Sequence, residues 1–283
     1  MSRLAYVNGV FRPQRGPSID VEDRGFQFAD GVYEVWAVRD ARLLDEVGHY
    51  ERLERSLREL RIAAPLSRAA LGVAVRETLR RNRVRTGIVY LQITRGVARR
   101  DHAFPRQEVP ATVVITARAL DWDAIEATAA TGIAVVSTPE TRWARCDIKS
   151  TALLANVLAK QFARENGARE AWFVDHDGFV TEGASSNAWI VDAAGVVRTR
   201  SLTANILRGI TRGGVLATIE RLGLAVSQSP FTLAEAYAAR EAFNTAASAF
   251  VQPVVAIDGR VIGSGAPGPV ARALRTVYLA SRI

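Results

Sequence analysis

The chain carries 37 basic residues, and only two of them, Lys149 and Lys160, are lysines. Arginine does not lose its proton near neutral pH, so chemistry that needs a free amine falls to these two side chains. Lys149 stands in Arg145-Cys146-Asp147-Ile148-Lys149-Ser150, after a predicted strand and before a predicted helix, where a side chain can project into a cleft. A lone lysine at a helix start is ordinarily a solvated one. Here Ile148 and the following Thr151-Ala152-Leu153-Leu154 suit an exposed tip poorly. Downstream, Thr181-Glu182-Gly183-Ala184-Ser185-Ser186-Asn187 sets a carboxylate before a run of small residues. Leu207-Arg208-Gly209-Ile210-Thr211-Arg212 places a glycine and a threonine at a predicted helix N-terminus, where backbone N–H groups and a hydroxyl can cradle a phosphate. Taken singly, Glu182 reads equally as a turn carboxylate, and Gly209-Ile210-Thr211 as an ordinary helix start.

Together they supply the three things that pyridoxal phosphate requires: an amine for its aldehyde, a carboxylate to keep the pyridine nitrogen protonated, and an anion site. Other chemistries lack their motifs. No G-x-G-x-x-G is expected after a strand, and the sequence has no G-x-x-x-x-G-K-[ST], no H-E-x-x-H and no G-x-S-x-G. One cysteine, Cys146, excludes an intrachain disulfide framework, and three scattered histidines without a nearby cysteine argue against structural zinc.

The elements that must position these residues read as follows. Leu4–Val7, an Asn8-Gly9 turn and Val10-Phe11 predict a hairpin. A strand is expected over Val32–Val38, and a helix over Glu46–Arg61 with Val47, Tyr50, Leu53, Leu57 and Leu60 on one face. Pro65-Leu66-Ser67 offers the cap of a second helix running to about Asn82. Strands at Ile88–Arg95 and Thr112–Ala117 flank an irregular loop, Gly96–Pro110. The pattern changes near Leu120-Asp121-Trp122-Asp123, which predicts a smaller N-terminal domain over 1–119 and a larger one over 120–283 that carries Lys149. In the second, helices are expected over Thr151–Asn166 and Arg208–Leu222, a final helix at the end of the chain, and strands at Ile133–Ser137, Ala171–Val174, Ala188–Val191, Val196–Thr199, Ala242–Thr245 and Val254–Ile257. Strands and helices without regular alternation predict an α+β fold.

The order Glu182, Asn187, Thr199, then Leu207-x-Gly209-Ile210-x-Arg212, resembles the signature of the class IV, or fold type IV, pyridoxal-phosphate aminotransferases. Arg145–Ser150, Glu22–Glu34, Thr94-Arg95-Gly96 and Arg100-Asp101-His102 look like the D-amino acid aminotransferase branch. The resemblance spans essentially the whole chain. It implies a two-domain α+β fold with pyridoxal 5'-phosphate between the domains, normally in a homodimer with a shared active site. On this resemblance Lys149 would carry the cofactor covalently and shuttle the proton, a task that a dry cleft favours by disfavouring the ammonium. Glu182 would pair with the pyridine nitrogen; Arg52, Ile210 and Thr211 would hold the phosphate, and Ser186 would also contact the cofactor. Without the resemblance, Arg52 is one more charge on an arginine-rich helix. Tyr33, with Arg100 and His102 from the neighbouring subunit, would bind the substrate carboxylate, a guanidinium being suited to a bidentate grip. The implied reaction is a ping-pong exchange between a D-amino acid, of D-alanine or D-glutamate type, and a 2-oxo acid.

Departures from that branch lie at Ala184, usually serine, at Ala246-Ala247 in place of hydroxyl residues, and at Trp189, usually Phe or Tyr. They imply fewer hydrogen bonds to the cofactor and a changed pocket wall. A branched-chain L-aminotransferase, an (R)-amine transaminase and an aminodeoxychorismate lyase share the same cofactor machinery and stay as alternatives. A more distant one is a basic nucleic-acid-binding protein, raised by the formal net charge of +8 and the run of arginines between Arg76 and Arg85. Aromatics make up only 7% of the chain and do not interleave with that run, so small molecules rather than nucleic acid are the expected partners. The longest uncharged stretch, Ala242–Ile257, is 16 residues and is broken by polar groups, short of a membrane span of about 20. The first residues do not read as a signal peptide, and the expected location is cytoplasmic.

Overall fold

Asn8 and Gly9 take positive φ values of 47° and 92°, the mirror-image turn that sends β1 (Leu4–Val7) back as β2 (Val10–Pro13) in the computed structural model. The structure describes residues 3–16, 18–203 and 205–282; Met1 and Ser2, where the signal-peptide reading begins, lie outside them. The chain divides into two compact units: Met1–Trp122 with Ile148–Ala152, and Asp123–Asp147 with Leu153–Ile283.

The first unit continues with α1 (Arg24–Phe28), β3 (Gly31–Arg39), β4 (Arg42–Leu43), α2 (Glu46–Glu59), α3 (Arg68–Asn82), β5 (Gly87–Thr94) and β6 (Thr112–Ala119). Its strands form one antiparallel sheet of order β2-β1-β6-β5-β3-β4. Ser67 Oγ accepts from the Ala70 N–H at 3.2 Å, so the predicted cap does start α3. Tyr50, Leu53 and Leu57 on α2 and Leu71 and Val75 on α3 share one core with Trp36, Leu91, Ile93 and Ile115 of the sheet. Each such side chain contributes about 2 kcal/mol by leaving water. Arg76 pairs with Glu46, and Arg80 and Arg81 both pair with Glu77, so three arginines of this basic run lie in ion pairs on a solvated helix face.

β3 pairs with β5 along one edge, and β4 covers only one end of the other edge. Ile148–Ala152 fills the other end. The Tyr33 N–H donates to the Lys149 carbonyl at 3.0 Å, the Thr151 N–H donates to Gly31 O at 3.0 Å, and Val32 bridges Ser150. Lys149 therefore belongs with the first unit, where the sequence reading put it with the second. Pairing with β3 also explains why the helix expected from Thr151 begins only at Leu154.

The second unit runs α4 (Trp122–Thr131), β7 (Ile133–Pro139), α5 (Leu154–Glu165), β8 (Glu170–Val174), β9 (Val180–Gly183), β10 (Asn187–Val191), β11 (Val197–Thr199), α6 (Ile210–Arg221), β12 (Val226–Ser227), α7 (Leu233–Tyr237), β13 (Glu241–Ala246), β14 (Phe250–Ile257), β15 (Arg260–Val261) and α8 (Pro269–Ala280). Its sheet has the order β12-β11-β10-β13-β14-β7-β8-β9, with β15 beside β14. β7 is parallel to both neighbours and most other pairs are antiparallel, so the α+β expectation holds. Trp172, Ile190, Phe231, Val254 and Ile257 make its centre. Sequence reading missed α4 and β9, and β9 bears Glu182. Against the expectation that no G-x-G-x-x-G follows a strand, Gly263-Ser264-Gly265-Ala266-Pro267-Gly268 has that dinucleotide-fingerprint spacing between β15 and α8. The Glu241 carboxylate fills that helix N-terminus instead, accepting from the N–H groups of Val270 and Ala271 at 3.0 and 2.9 Å. No helix among the described residues is long and apolar enough to cross a membrane.

Candidate active site

In the first unit the residues gather around Lys149. Its Nζ lies 4.2 Å from the centre of the Tyr33 ring, which stacks on Tyr90 at 5.5 Å. A cation facing an aromatic ring is held there by the ring quadrupole. Tyr33 alternates along β3 with Val32 and Glu34, so one strand sets the phenol beside the lysine and sends the Glu34 carboxylate inward. Burial pushes the Tyr90 hydroxyl up to about 12, and it donates to Gln92 Oε1 at 2.7 Å.

Arg52 reaches from α2 into the same core. Its Nε and Nη2 donate to the two oxygens of Glu34 at 2.7 and 2.8 Å, and Glu34 also holds His49 Nδ1 at 2.7 Å. Burial pushes the Glu34 carboxyl up, but the charge and hydrogen bonds of Arg52 and His49 outweigh it and hold it down to about 2. Burial lowers the pKa of His49 and favours the neutral ring against the pull of Glu34. Neither Glu34 nor His49 was singled out by the sequence reading. Their signal was the spacing: His49 and Arg52 share one face of α2 at i and i+3, opposite an inward carboxylate on a strand.

Arg100 and His102, on the loop after β5, lie against α1. The Arg100 guanidinium sits 4.6 Å from the centre of the Phe28 ring, and the His102 ring is 5.4 Å from the same ring.

In the second unit, Glu182 is almost wholly buried in β9. Arg142 Nη1 donates to its Oε1, Asn187 Nδ2 to its Oε2 at 2.9 Å, and the Leu207 N–H to both oxygens at 3.1 Å. Burial raises its pKa above the ordinary carboxylate range, against the lowering influence of Arg142 and the Leu207 N–H. Arg142 was not anticipated. It also spans Glu140, Thr181 Oγ1 and the Asn205 carbonyl, a set that only the folded chain brings together. Asn187 further donates to Leu207 O at 3.0 Å, tying β10 to the segment that leads into α6.

α6 starts at Ile210 with Thr211 buried in its first turn; its N-cap is Gly209, which provides no side-chain cap. Such a start leaves its backbone N–H groups to an incoming anion. Arg212 turns away, its Nη2 donating to Arg200 O and Gln228 Oε1 at 2.9 Å. Ser186 donates to Glu170 Oε2 at 3.1 Å, next to Ser185 at 2.6 Å. Trp189 is fully buried, stacked on Phe243 at 5.4 Å with its Nε1–H on Thr245 Oγ1 at 2.9 Å. It belongs to the sheet core, where the sequence reading made it a pocket wall.

Comparison with known proteins agrees with this arrangement. A family model, amino-transferase class IV, matches residues 31–257. The D-alanine aminotransferase of Staphylococcus haemolyticus is 38% identical over 283 residues, covering 98% of each chain. That of Bacillus licheniformis is 40% identical over 269 residues, covering 95% of this chain and 93% of its own. A solved T.th. branched-chain amino acid aminotransferase with pyridoxamine 5'-phosphate superposes with a TM-score of 0.90 at 29% identity, covering 99% of this chain and 94% of that one.

Class IV aminotransferases work with pyridoxal phosphate, and the residues present fit it. The buried Glu182 carboxylate keeps a raised pKa despite the three donors around it, which a further positive partner would relieve. The α6 start has a glycine where a capping side chain would otherwise compete with a phosphate. Lys149 supplies the amine. A chain matched by this family's model through both the lysine and the buried glutamate, with full-length relatives of the same class, belongs to the class IV aminotransferases.

Proposed function

We propose that the chain exchanges an amino group between a D-amino acid, of D-alanine or D-glutamate type, and a 2-oxo acid in a ping-pong reaction. Lys149, Glu182, Arg52, Ile210, Thr211 and Ser186 would hold pyridoxal phosphate. When bound, that cofactor supplies an electron sink for the carbanion left at the substrate Cα. The residues of the chain do the rest. Lys149 Nζ takes the Cα proton and returns it from one fixed face, so the placement of the substrate carboxylate decides which enantiomer reacts. Tyr33, Arg100 and His102 bind that carboxylate, the guanidinium with two bonds and the phenol and imidazole with one each. Glu182 would favour a positive charge on the ring nitrogen. Glu34 orients Arg52 through two bonds, which leaves the guanidinium plane fixed before an anion arrives.

The observation that supports this reading is the seat of Lys149 Nζ at 4.2 Å from the ring of Tyr33, the phenol that would bind the carboxylate. The D-alanine aminotransferases at 38% and 40% identity support the choice of enantiomer. A homodimer belongs to the same reading, with Arg100 and His102 serving the partner's site. A branched-chain L-amino acid reaction is the second reading, supported by the 0.90 superposition on an enzyme of that name.

The test is a titration of the yellow holoenzyme with D-alanine, D-glutamate, L-isoleucine and (R)-1-phenylethylamine. Bleaching by either D-amino acid and not by L-isoleucine is expected. Bleaching by L-isoleucine alone overturns the reading. Sedimentation at micromolar concentration tests the dimer.

A further inference from the structure

We infer that Arg24 is a positioning residue: it holds the backbone of the loop that presents Arg100 and His102, and so sets the affinity for the substrate carboxylate without touching it. The inference rests on the reading of that loop given above.

Arg24 opens α1 and is 3% exposed. Its Nη1 donates to Asp101 O at 2.6 Å and its Nη2 to His102 O at 3.4 Å. Two successive carbonyls thus turn toward one guanidinium. That fixes the two peptide planes on either side of His102, and with them the direction in which its ring leaves the chain. The plane of the guanidinium is itself fixed. Its Nε donates to Asp30 Oδ2 at 2.9 Å, and the group lies 4.8 Å from the centre of the Phe28 ring.

Phe28 is also the surface on which Arg100 and His102 rest, at 4.6 and 5.4 Å. One short helix therefore contributes both the grip on the loop backbone and the platform under its two side chains. Asp30 is shared with Arg95, which donates to it at 2.7 and 2.9 Å and reaches on to the carbonyls of Leu60 and Arg61 after α2. The root of the loop is tied to the same segment by Arg24 N–H to Gly96 O at 2.9 Å and Ala98 N–H to Glu22 O at 3.3 Å. Nothing else about Arg24 calls for a forked cation. A buried charge is costly and is kept where the groups around it need its bonds. What only arginine supplies here is one carboxylate bond and two carbonyl bonds from a single rigid plane.

The variants are Arg24→Gln and Arg24→Lys in the full-length holoenzyme, with Arg100→Gln and His102→Gln alongside. Arg24→Gln should raise KM for D-alanine about ten- to a hundredfold, the range expected for a displaced binding group, with kcat within about threefold. Cofactor absorbance and cofactor affinity should match the parent. In the cofactor-free protein, amide exchange over 100–104 should quicken at least about tenfold as the carbonyl grip is lost. Arg24→Lys keeps the buried charge and the Asp30 bond but cannot fork to two carbonyls. It should fall between, and it carries the test if Arg24→Gln does not fold. Native KM in both Arg24 variants, or a fall in kcat with KM unmoved, while Arg100→Gln raises KM, would overturn this inference and leave the loop's role intact. Native KM in Arg100→Gln and His102→Gln would overturn the loop's role and this inference with it.

Discussion

A Cβ on Gly209 would overlap Oδ1 of Asn187, the side chain that also holds Glu182 at 2.9 Å. The glycine before α6 is therefore required by its neighbour, because its φ of −61° is open to any residue. Gly209→Ala should push Asn187 away and loosen Glu182, weakening pyridoxal phosphate binding about tenfold or more. Gly213→Ala, one turn on in the same helix with nothing near its Cβ, should raise stability by about 1 kcal/mol. Equilibrium dialysis and thermal unfolding of the two variants check the pair.

Lys149 and Lys160 are the chain's only lysines, and their surroundings differ. Lys160 is 42% exposed and donates to Arg169 O at 2.6 Å. Lys149→Ala should lower turnover at least about a thousandfold, whereas Lys160→Ala should stay within about threefold. The opposite ranking in a steady-state assay would contradict the assignment of the amine.

Glu34 makes the acid limb of stability predictable. Its folded pKa of about 2 lies below the unfolded 4.5, so the carboxylate stabilises the fold fully above pH 4.5. That contribution is lost as pH falls from 4.5 through 2, as the proton displaces Arg52 and His49. The lowered pKa of His49 acts in the same direction, since the folded protein resists protonating it. Glu34→Gln should lower Tm near neutral pH and flatten its slope between pH 4.5 and 2, as read by thermal denaturation in a buffer series.

Ala184, Ala246 and Ala247 offer no hydroxyl to a cofactor, and Thr245, whose oxygen accepts from Trp189 at 2.9 Å, keeps only its own O–H to donate. Dialysis should therefore strip activity that added pyridoxal phosphate restores. Activity undiminished after exhaustive dialysis would contradict this account.

Glu182→Gln keeps the shape and the Asn187 contact but removes the charge that would face a ring nitrogen. A loss of about a hundredfold or more in kcat is expected, with the protein still folded by circular dichroism.

Local signals were legible where one segment contains its own cause. Ser67 announced α3, Asn8-Gly9 announced the first hairpin, and the spacing of Tyr50, Leu53 and Leu57 announced α2. The strand holding Glu182 was not legible. It is four residues long, all buried, and pairs with β8 through an irregular register, so no alternation marks it. Lys149 could be found because lysine is so rare here, but its seat could not. That seat depends on an edge of β3 more than a hundred residues earlier. Arg142 and Glu34 stayed hidden for the same reason. A buried charge is recognisable only by its partner, and the sequence separates Arg142 from Glu182 by 40 positions.

The strap at Ile148–Ala152 has a further bearing on how this chain can be cut and rejoined. A gene severed after codon 122 would yield a leading fragment without Ile148, leaving a hole in its core, and with the Tyr33 amide robbed of its acceptor. The trailing fragment would keep the missing piece as a stray loop. Separately expressed halves should thus be insoluble or unstable until mixed, and recombination between homologues should tolerate crossovers poorly anywhere from 122 to 153.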